Sequence, residues 1–356
     1  MDQIIKPIGV TIDKLTVLAD LEIDHDEFLK MIARVGFEIQ DYQSKKYGYS
    51  SVYVHKESGG YIELARQKID YDVQDLERKK YKLWGLIKGI KQGNVNTTGE
   101  TLAELNERLE EIQEVLEQVD ERGHLKRLKD VRYELNPKYF YYSKTAEYAF
   151  RKVMSALNQK TLSMSSIHIA LDYPVSINSI EITDIKSRKQ NIFIGKNKRV
   201  ETMYFGKRSS RNHICVYDKK LEVEENDGID QYPDYPHITR FEARLKSDYA
   251  KKFFTSEFNP FGGLIISDDF ESAVFADKGL TDAEAGRIIL YFKQPGRLHS
   301  LPATTRKRYQ RKMKKYTGLY LNVAGDYEEE KDSLVEELES WFKPLSKESI
   351  PENENK

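Results

Sequence analysis

Three short runs near the middle of the chain alternate apolar and polar residues: Ile167-His168-Ile169-Ala170-Leu171-Asp172, His213-Ile214-Cys215-Val216-Tyr217-Asp218-Lys219 and Arg240-Phe241-Glu242-Ala243-Arg244-Leu245. A period of two is that of a β-strand, whose successive side chains point to opposite faces. Ile167, Ile169, Leu171, Ile214, Val216, Phe241, Ala243 and Leu245 therefore form core faces. The other faces carry His168 and Asp172, then His213, Cys215, Tyr217 and Lys219, then Arg240, Glu242 and Arg244. If the strands share a sheet, one surface gathers a tyrosine, two carboxylates, histidines and arginines.

The same reading predicts a strand over Val10–Leu18, a helix over His25–Val35 capped by Asp24 and stopped by Gly36, and a hairpin of 51–56 and 61–66. From Asp72 to about Leu128 the period changes. Leu102, Leu105, Leu109, Ile112, Leu116 and Val119 follow a helical seam, and Leu76, Leu83, Ile87 and Ile90 offer a second arm across the break at 92–99. An intramolecular helical hairpin is the first reading and a dimerisation arm the second. Val131–Pro137 returns to strand character, Ala146–Leu157 to helix, and Ile177–Ile185 and Asn191–Ile194 to strand. Thr202–Phe205 and His213–Lys219 are joined by the tip 206–212. After Ser247 helices are expected over 268–275, 282–292, 303–316 and 327–342.

The expected organisation is an α+β core, of two similar halves, interrupted by a helical hairpin and followed by helices. In residue terms, 1–71 and 129–246 form the core, 72–128 the insertion, 247–343 a helical DNA-binding or accessory region, and 344–356 a disordered tail.

Charge changes the picture more than composition does. The 356 residues are 32% charged and 39% apolar with a net charge of -1, an ordinary globular balance. Yet Arg188 to Lys220 is strongly basic, and Arg306-Lys307-Arg308-Tyr309-Gln310-Arg311-Lys312-Met313-Lys314-Lys315 contains no acid. Local charge decides where phosphate is attracted. Lys207, Arg208 and Arg211 at the hairpin tip, with Lys220, Arg240 and Arg244, and Arg306, Arg308, Arg311 and Lys312 in the second run, are candidate DNA contacts. No apolar run is long enough to span a bilayer and the first residues lack a secretory pattern, so no membrane association and a cytoplasmic location are expected. The single cysteine, Cys215, excludes an internal disulfide and a Cys-rich zinc site. There is no P-loop, so intrinsic ATPase activity is not expected.

Tyr217 is the candidate nucleophile. A phenol can attack a phosphodiester and hold the DNA end as a phosphotyrosine, but its ordinary pKa near 10 requires help, for which Lys219 is the candidate. With 23 tyrosines in the chain, a packing role is the competing reading. Asp172 and Glu242, with His168, suit Mg²⁺ or Mn²⁺. His168 and Asp172 stand about 13 Å apart on an ideal strand, so Asp172 with Glu242 is the favoured pair. Pairing of Glu242 with Arg240 or Arg244 is the alternative.

Thr202-Met203-Tyr204-Phe205-Gly206-Lys207-Arg208-Ser209-Ser210, Val216-Tyr217-Asp218-Lys219-Lys220-Leu221-Glu222 and Thr239-Arg240-Phe241-Glu242-Ala243-Arg244-Leu245-Lys246 occur in an order that resembles the Rep_trans replication initiators. These start rolling-circle replication of Gram-positive plasmids, and relaxases of some conjugative elements are similar. Ile12-Asp13-Lys14-Leu15-Thr16 and Arg132-Tyr133-Glu134-Leu135-Asn136-Pro137 also look like family segments. The resemblance implies a relaxase-like (HUH-related) sheet that binds an origin hairpin and its single strand. It further implies metal-dependent nicking and rejoining through Tyr217, an acidic metal site at Asp172 and Glu242, a homodimer, and recruitment of a host helicase. His168 and Cys215 depart from the family pattern, where an acid and a basic residue are frequent. A non-catalytic origin binder or regulator on the same fold, and a relaxase for conjugative transfer, are the alternatives.

Overall fold

The computed structural model describes residues 5–40, 49–65, 73–92, 102–118, 129–186, 188–226, 230–255, 258–316 and 320–342. The expected break at 92–99, beyond Gln92, and the tail at 344–356 lie outside them. The chain divides into two compact units. One comprises Thr16–Leu135 and Ser143–Ser163; the other comprises Met1–Leu15, Asn136–Tyr142 and Met164–Lys343. The helices after Ser247 thus belong to the same unit as the reactive strands.

The first unit takes the second half of β1 (Gly9–Ala19), then α1 (His25–Arg34), β2 (Phe37–Gln40), β3 (Tyr49–His55), β4 (Tyr61–Ala65), α2 (Val73–Lys91), α3 (Leu102–Gln118) and β5 (Val131–Leu135). Asp24 accepts from the Asp26 amide at the start of α1, and Gly36, at φ 93°, takes the left-handed conformation that stops it. The strands lie in the order β2-β3-β4-β5-β1, with antiparallel pairing from β2 to β5. Leu76, Leu83 and Ile87 of α2 bury against Leu105 and Ile112 of α3, as the seam predicted. α4 (Tyr139–Tyr142) falls in the second unit, whereas α5 (Lys144–Ser155), begun by the Ser143 cap, returns to the first.

The second unit contains β6 (Ser163–Tyr173), β7 (Glu181–Asp184), β8 (Gln190–Ile194), β9 (Val200–Phe205), β10 (Asn212–Asp218), α6 (Lys219–Glu225), β11 (Thr239–Lys246), α7 (Asp248–Lys251) and β12 (Leu264–Ser267). Its main strands run β6-β11-β10-β9-β8, antiparallel throughout. β7 leaves that sheet to pair with β12, a strand that the helical reading of this region missed. Four residues are too few for a periodicity to register. α8 (Phe270–Phe275), α9 (Asp282–Lys293), α10 (Pro295–His299) and α11 (Ala303–Met313) close over this pair, burying Ile265, Phe270, Ile288, Phe292, Tyr309 and Met313. α12 (Val323–Phe342) follows.

The two units run the same course. Each has a first strand (β1 or β6), a three-strand meander (β2-β3-β4 or β8-β9-β10), a helical connection (α2-α3 or α6), and a last strand (β5 or β11) beside both the first strand and the end of the meander. Like residues occupy the last strand: Arg132-Tyr133-Glu134 on β5 and Arg240-Phe241-Glu242 on β11. Glu63 stands opposite Arg132 as Tyr217 stands opposite Arg240. The expectation of an α+β core with two similar halves, an inserted helical pair and later helices agrees with this architecture.

Candidate active site

Directly opposed residues of antiparallel strands project from the same face, so the register writes out the reactive surface row by row. One row reads Phe193, Thr202, Tyr217, Arg240, Asp172 across β8, β9, β10, β11 and β6. The next reads Asn191, Tyr204, Cys215, Glu242, Ala170, and beyond it lie His213, Arg244 and His168. The three alternating runs do share a sheet, and their polar faces do form one surface.

Two separate ion networks occupy that surface. The Arg240 guanidinium donates to both Asp172 carboxylate oxygens at 2.6 and 2.7 Å and to Asp13 at 2.9 Å, while Arg240 and Asp172 are almost completely buried. Glu242 accepts from Arg244 at 2.8 and 3.1 Å, and His168 Nδ1 lies 2.8 Å from its Oε1. Burial alone would raise the Glu242 pKa, but His168 and Arg244 overcome it and hold the carboxyl well below its usual range. His168 therefore accompanies Glu242, and Asp172, expected beside Glu242, is tied to Arg240. Among the described residues no three His, Cys, Asp or Glu side chains converge as ligands for one ion. With both Asp172 oxygens on Arg240 and the Glu242 carboxylate engaged by Arg244 and His168, the donor set in this arrangement does not fit a divalent metal.

Tyr217 is 9% exposed. It lines a cleft of about 190 Å³ together with Tyr204, Cys215, Arg244 and the carboxylates of Glu201, Asp218, Glu222 and Glu225. Burial, then the nearby Glu242 charge, push its phenol well above 10, against the opposing pull of Arg240. Lys219 does not extend the Tyr217 strand face. Asp218 ends β10 and caps α6, accepting from the amides of Lys220 and Leu221, so Lys219 opens a helix and bonds Glu222 at 2.5 Å. Next to Tyr217, Tyr204 stacks on His213 with ring centroids 5.2 Å apart, and burial pushes the Cys215 thiol up to about 12.

His213 provides a pH signature. Burial, then Arg244 and Lys246, lower its pKa to about 4 from 6.5. Folding thus favours the neutral ring: the contribution is complete above about pH 6.5 and is lost as pH falls toward 4. Urea unfolding is expected to show a loss on the order of 3 kcal/mol across that interval. His213→Gln should flatten this part of the profile; an unchanged slope would refute the assignment.

The basic residues differ in exposure and in the partners they touch. Lys207 and Arg208 are exposed on the β9–β10 tip, where Gly206, at φ 100°, makes the turn; Arg211 is also exposed but pairs with Asp248 at 3.1 Å. A second tip between β8 and β9 exposes Lys196, Lys198 and Arg199. On α11, Tyr309 and Met313 face the core while Lys307, Arg308 and Arg311 face outward; Arg306 donates to the His299 carbonyl and Lys312 pairs with Glu284 at 2.6 Å. Two expected DNA contacts need correction. Arg240 is in the core, and Lys220 is held internally by Asp230 at 2.6 Å and the Tyr232 carbonyl. Asp13 and Glu222 were not anticipated at the site. The alternation of Ile12-Asp13-Lys14-Leu15 marks a strand face for the first, and Lys219-Lys220-Leu221-Glu222 after Asp218 is a legible helix start for the second.

Tyr217, Arg240, Glu242 and both hairpin tips fall within the span that a family model matches. Residues 175–260 match the replication initiation factor family. Two replication initiation proteins of Staphylococcus aureus are 35% and 33% identical over 82 residues, covering 23% of this chain and 26% of each relative. The chain therefore matches about a quarter of the length of these curated relatives. The rolling circle replication initiator protein from Geobacillus stearothermophilus superposes at a TM-score of 0.36 and 12% identity, over 71% of this chain and 82% of that one. Asp172, His168 and α11 lie outside the family match. Among the described residues no helix is long and apolar enough to cross a membrane.

Proposed function

We propose that this protein initiates rolling-circle DNA replication by nicking and rejoining one strand at an origin hairpin. The observation that carries the reading is the placement of Tyr217 on the shared polar face, beside a cleft and inside the span matched to replication initiation factors. In the proposed step the Tyr217 oxygen bonds to phosphorus and gives up its proton. The bond to the 3′ oxygen breaks, leaving a phosphotyrosine and a 3′-hydroxyl that a polymerase can extend. Glu222, fixed by Lys219, lines the same cleft and is the nearest counterpart of the helper assigned to Lys219. Mg²⁺ or Mn²⁺ is the metal implied by the resemblance; because the carboxylates are engaged, no step is assigned to it. A homodimer and a recruited host helicase belong to the same proposal, as does a place in conjugative transfer if the origin is a transfer origin.

A non-catalytic origin binder is favoured by one observation: Tyr217 is buried, in a cleft whose lining has four carboxylates against Arg244. The deciding experiment incubates the protein with a labelled single-stranded oligonucleotide from its replicon's candidate origin, with Mn²⁺ or with EDTA. A denaturation-resistant adduct mapped to Tyr217 is expected; tight binding without an adduct moves the assignment to the binder. The tips and α11 should supply the electrostatic part of that binding. Replacing Lys207, Arg208 or Arg311 by alanine is expected to lower the slope of log affinity against log salt by about 1 for each phosphate left without its cation. Slopes equal to wild type would remove these residues from the interface.

A further inference from the structure

β8 is the edge strand of the second unit, and its apolar residues face water: Ile192 is 49%, Phe193 55% and Ile194 64% exposed. Exposed apolar edges invite unwanted pairing and are ordinarily blunted, so an aromatic ring left there calls for an occupant. The register puts Phe193 in the row of Tyr217, two strands away, or about 10 Å at the usual spacing. Its ring meets Tyr204 edge to face, at 5.5 Å and 90°, and Tyr204 in turn stacks on His213 and lines the Tyr217 cleft. A stepped aromatic surface therefore leads from the sheet edge to the candidate nucleophile.

The charges around this surface select the occupant. Lys189 precedes β8 and Lys196, Lys198 and Arg199 follow it, all exposed. A second copy of β8 paired on this edge would bring these cations against their own likes, whereas a polyanion with flat apolar groups matches both features. Single-stranded nucleic acid has that composition, and aromatic side chains beside a basic track are how bases are held without sequence readout.

We propose that Phe193, with Tyr204 behind it, is a stacking platform for an unpaired base close to the phosphate presented to Tyr217. Phe193 is a positioning residue: it holds the strand and touches no reacting atom. The inference rests on the proposed function, and the test separates the two.

The origin oligonucleotide would carry 2-aminopurine at successive positions, and binding and fluorescence would be followed with wild type, Phe193→Ala and Phe193→Tyr. One position is expected to be quenched by wild type and by Phe193→Tyr but not by Phe193→Ala. Affinity of Phe193→Ala for the single strand should fall about 5- to 100-fold, with affinity for the duplex stem unchanged. In nicking assays its KM should rise with little change in kcat. Quenching and affinity of Phe193→Ala equal to wild type would overturn the platform and leave the initiator reading intact. Failure of wild type to bind the oligonucleotide at all would overturn both. Because Phe193 is exposed on an edge, the alanine variant is expected to fold, which circular dichroism checks.

Discussion

Tyr217→Phe is expected to abolish the covalent DNA adduct, lowering its formation by at least about 10³-fold, while the Kd for the origin oligonucleotide stays within about twofold. The substitution keeps the ring that fills the space between β9 and β11 and removes only the oxygen that would attack phosphorus. The buried phenol sits well above its ordinary pKa, so wild-type cleavage should also accelerate as pH rises through the neutral range, since the ionised oxygen is the nucleophile. Mass spectrometry of the adduct and single-turnover cleavage check both. An adduct that persists in the phenylalanine variant and maps to Tyr204 would transfer the chemistry one strand along the sheet.

The largest effect on stability is expected at Arg240. Its guanidinium compensates Asp172, which is fully buried, and also reaches Asp13. Arg240→Leu strands a carboxylate in the core, and removal of one partner from a buried pair typically destabilises by about 3–5 kcal/mol. Urea denaturation should show that loss, and the double variant Arg240→Leu with Asp172→Leu should recover much of it, because an apolar pair leaves no unpaired charge. Arg240→Lys should recover less, since an ammonium cannot reproduce the two-pronged contact. A midpoint for Arg240→Leu equal to wild type would mean that Asp172 takes up its proton at little cost, and that the network does not hold the fold.

The same residue shows how far sequence reading reaches. Alternation placed Arg240, Glu242 and Arg244 on the face of Tyr217, and the register agrees. It could not give their depth. Period two separates faces, but whether a face meets water depends on residues far away in the chain, here Asp13 on β1. The split of His168 and Asp172 between two networks has the same origin: their wide spacing on β6 was legible, whereas the partners at each end were not. Lys219 was misplaced for a local reason, because a strand reading was carried past a residue whose side chain caps the next helix. β12 escaped because its evidence is its pairing with β7, some eighty residues earlier. The helical seams, by contrast, were read from local spacing alone and reappear, as far as Leu116, as rows of buried and partly buried residues, while Val119 lies outside the described residues.

The likeness between the two sets of five strands, β1 to β5 and β6 with β8 to β11, bears on the stoichiometry of the proposed reaction. Where the second unit sets Tyr217 against its strand arginine, the first sets Glu63 against Arg132, and Glu134 joins the same ion pair. A carboxylate already bonded to a guanidinium has no hydroxyl to form a stable ester with a DNA end. On the proposed chemistry, each chain would thus carry one covalent attachment point at this register, not two. If the protein is the initiator proposed above, release of a unit-length circle needs a cleavage at the start and another at the end, and the second would draw on a different tyrosine, on water, or on another molecule of the protein.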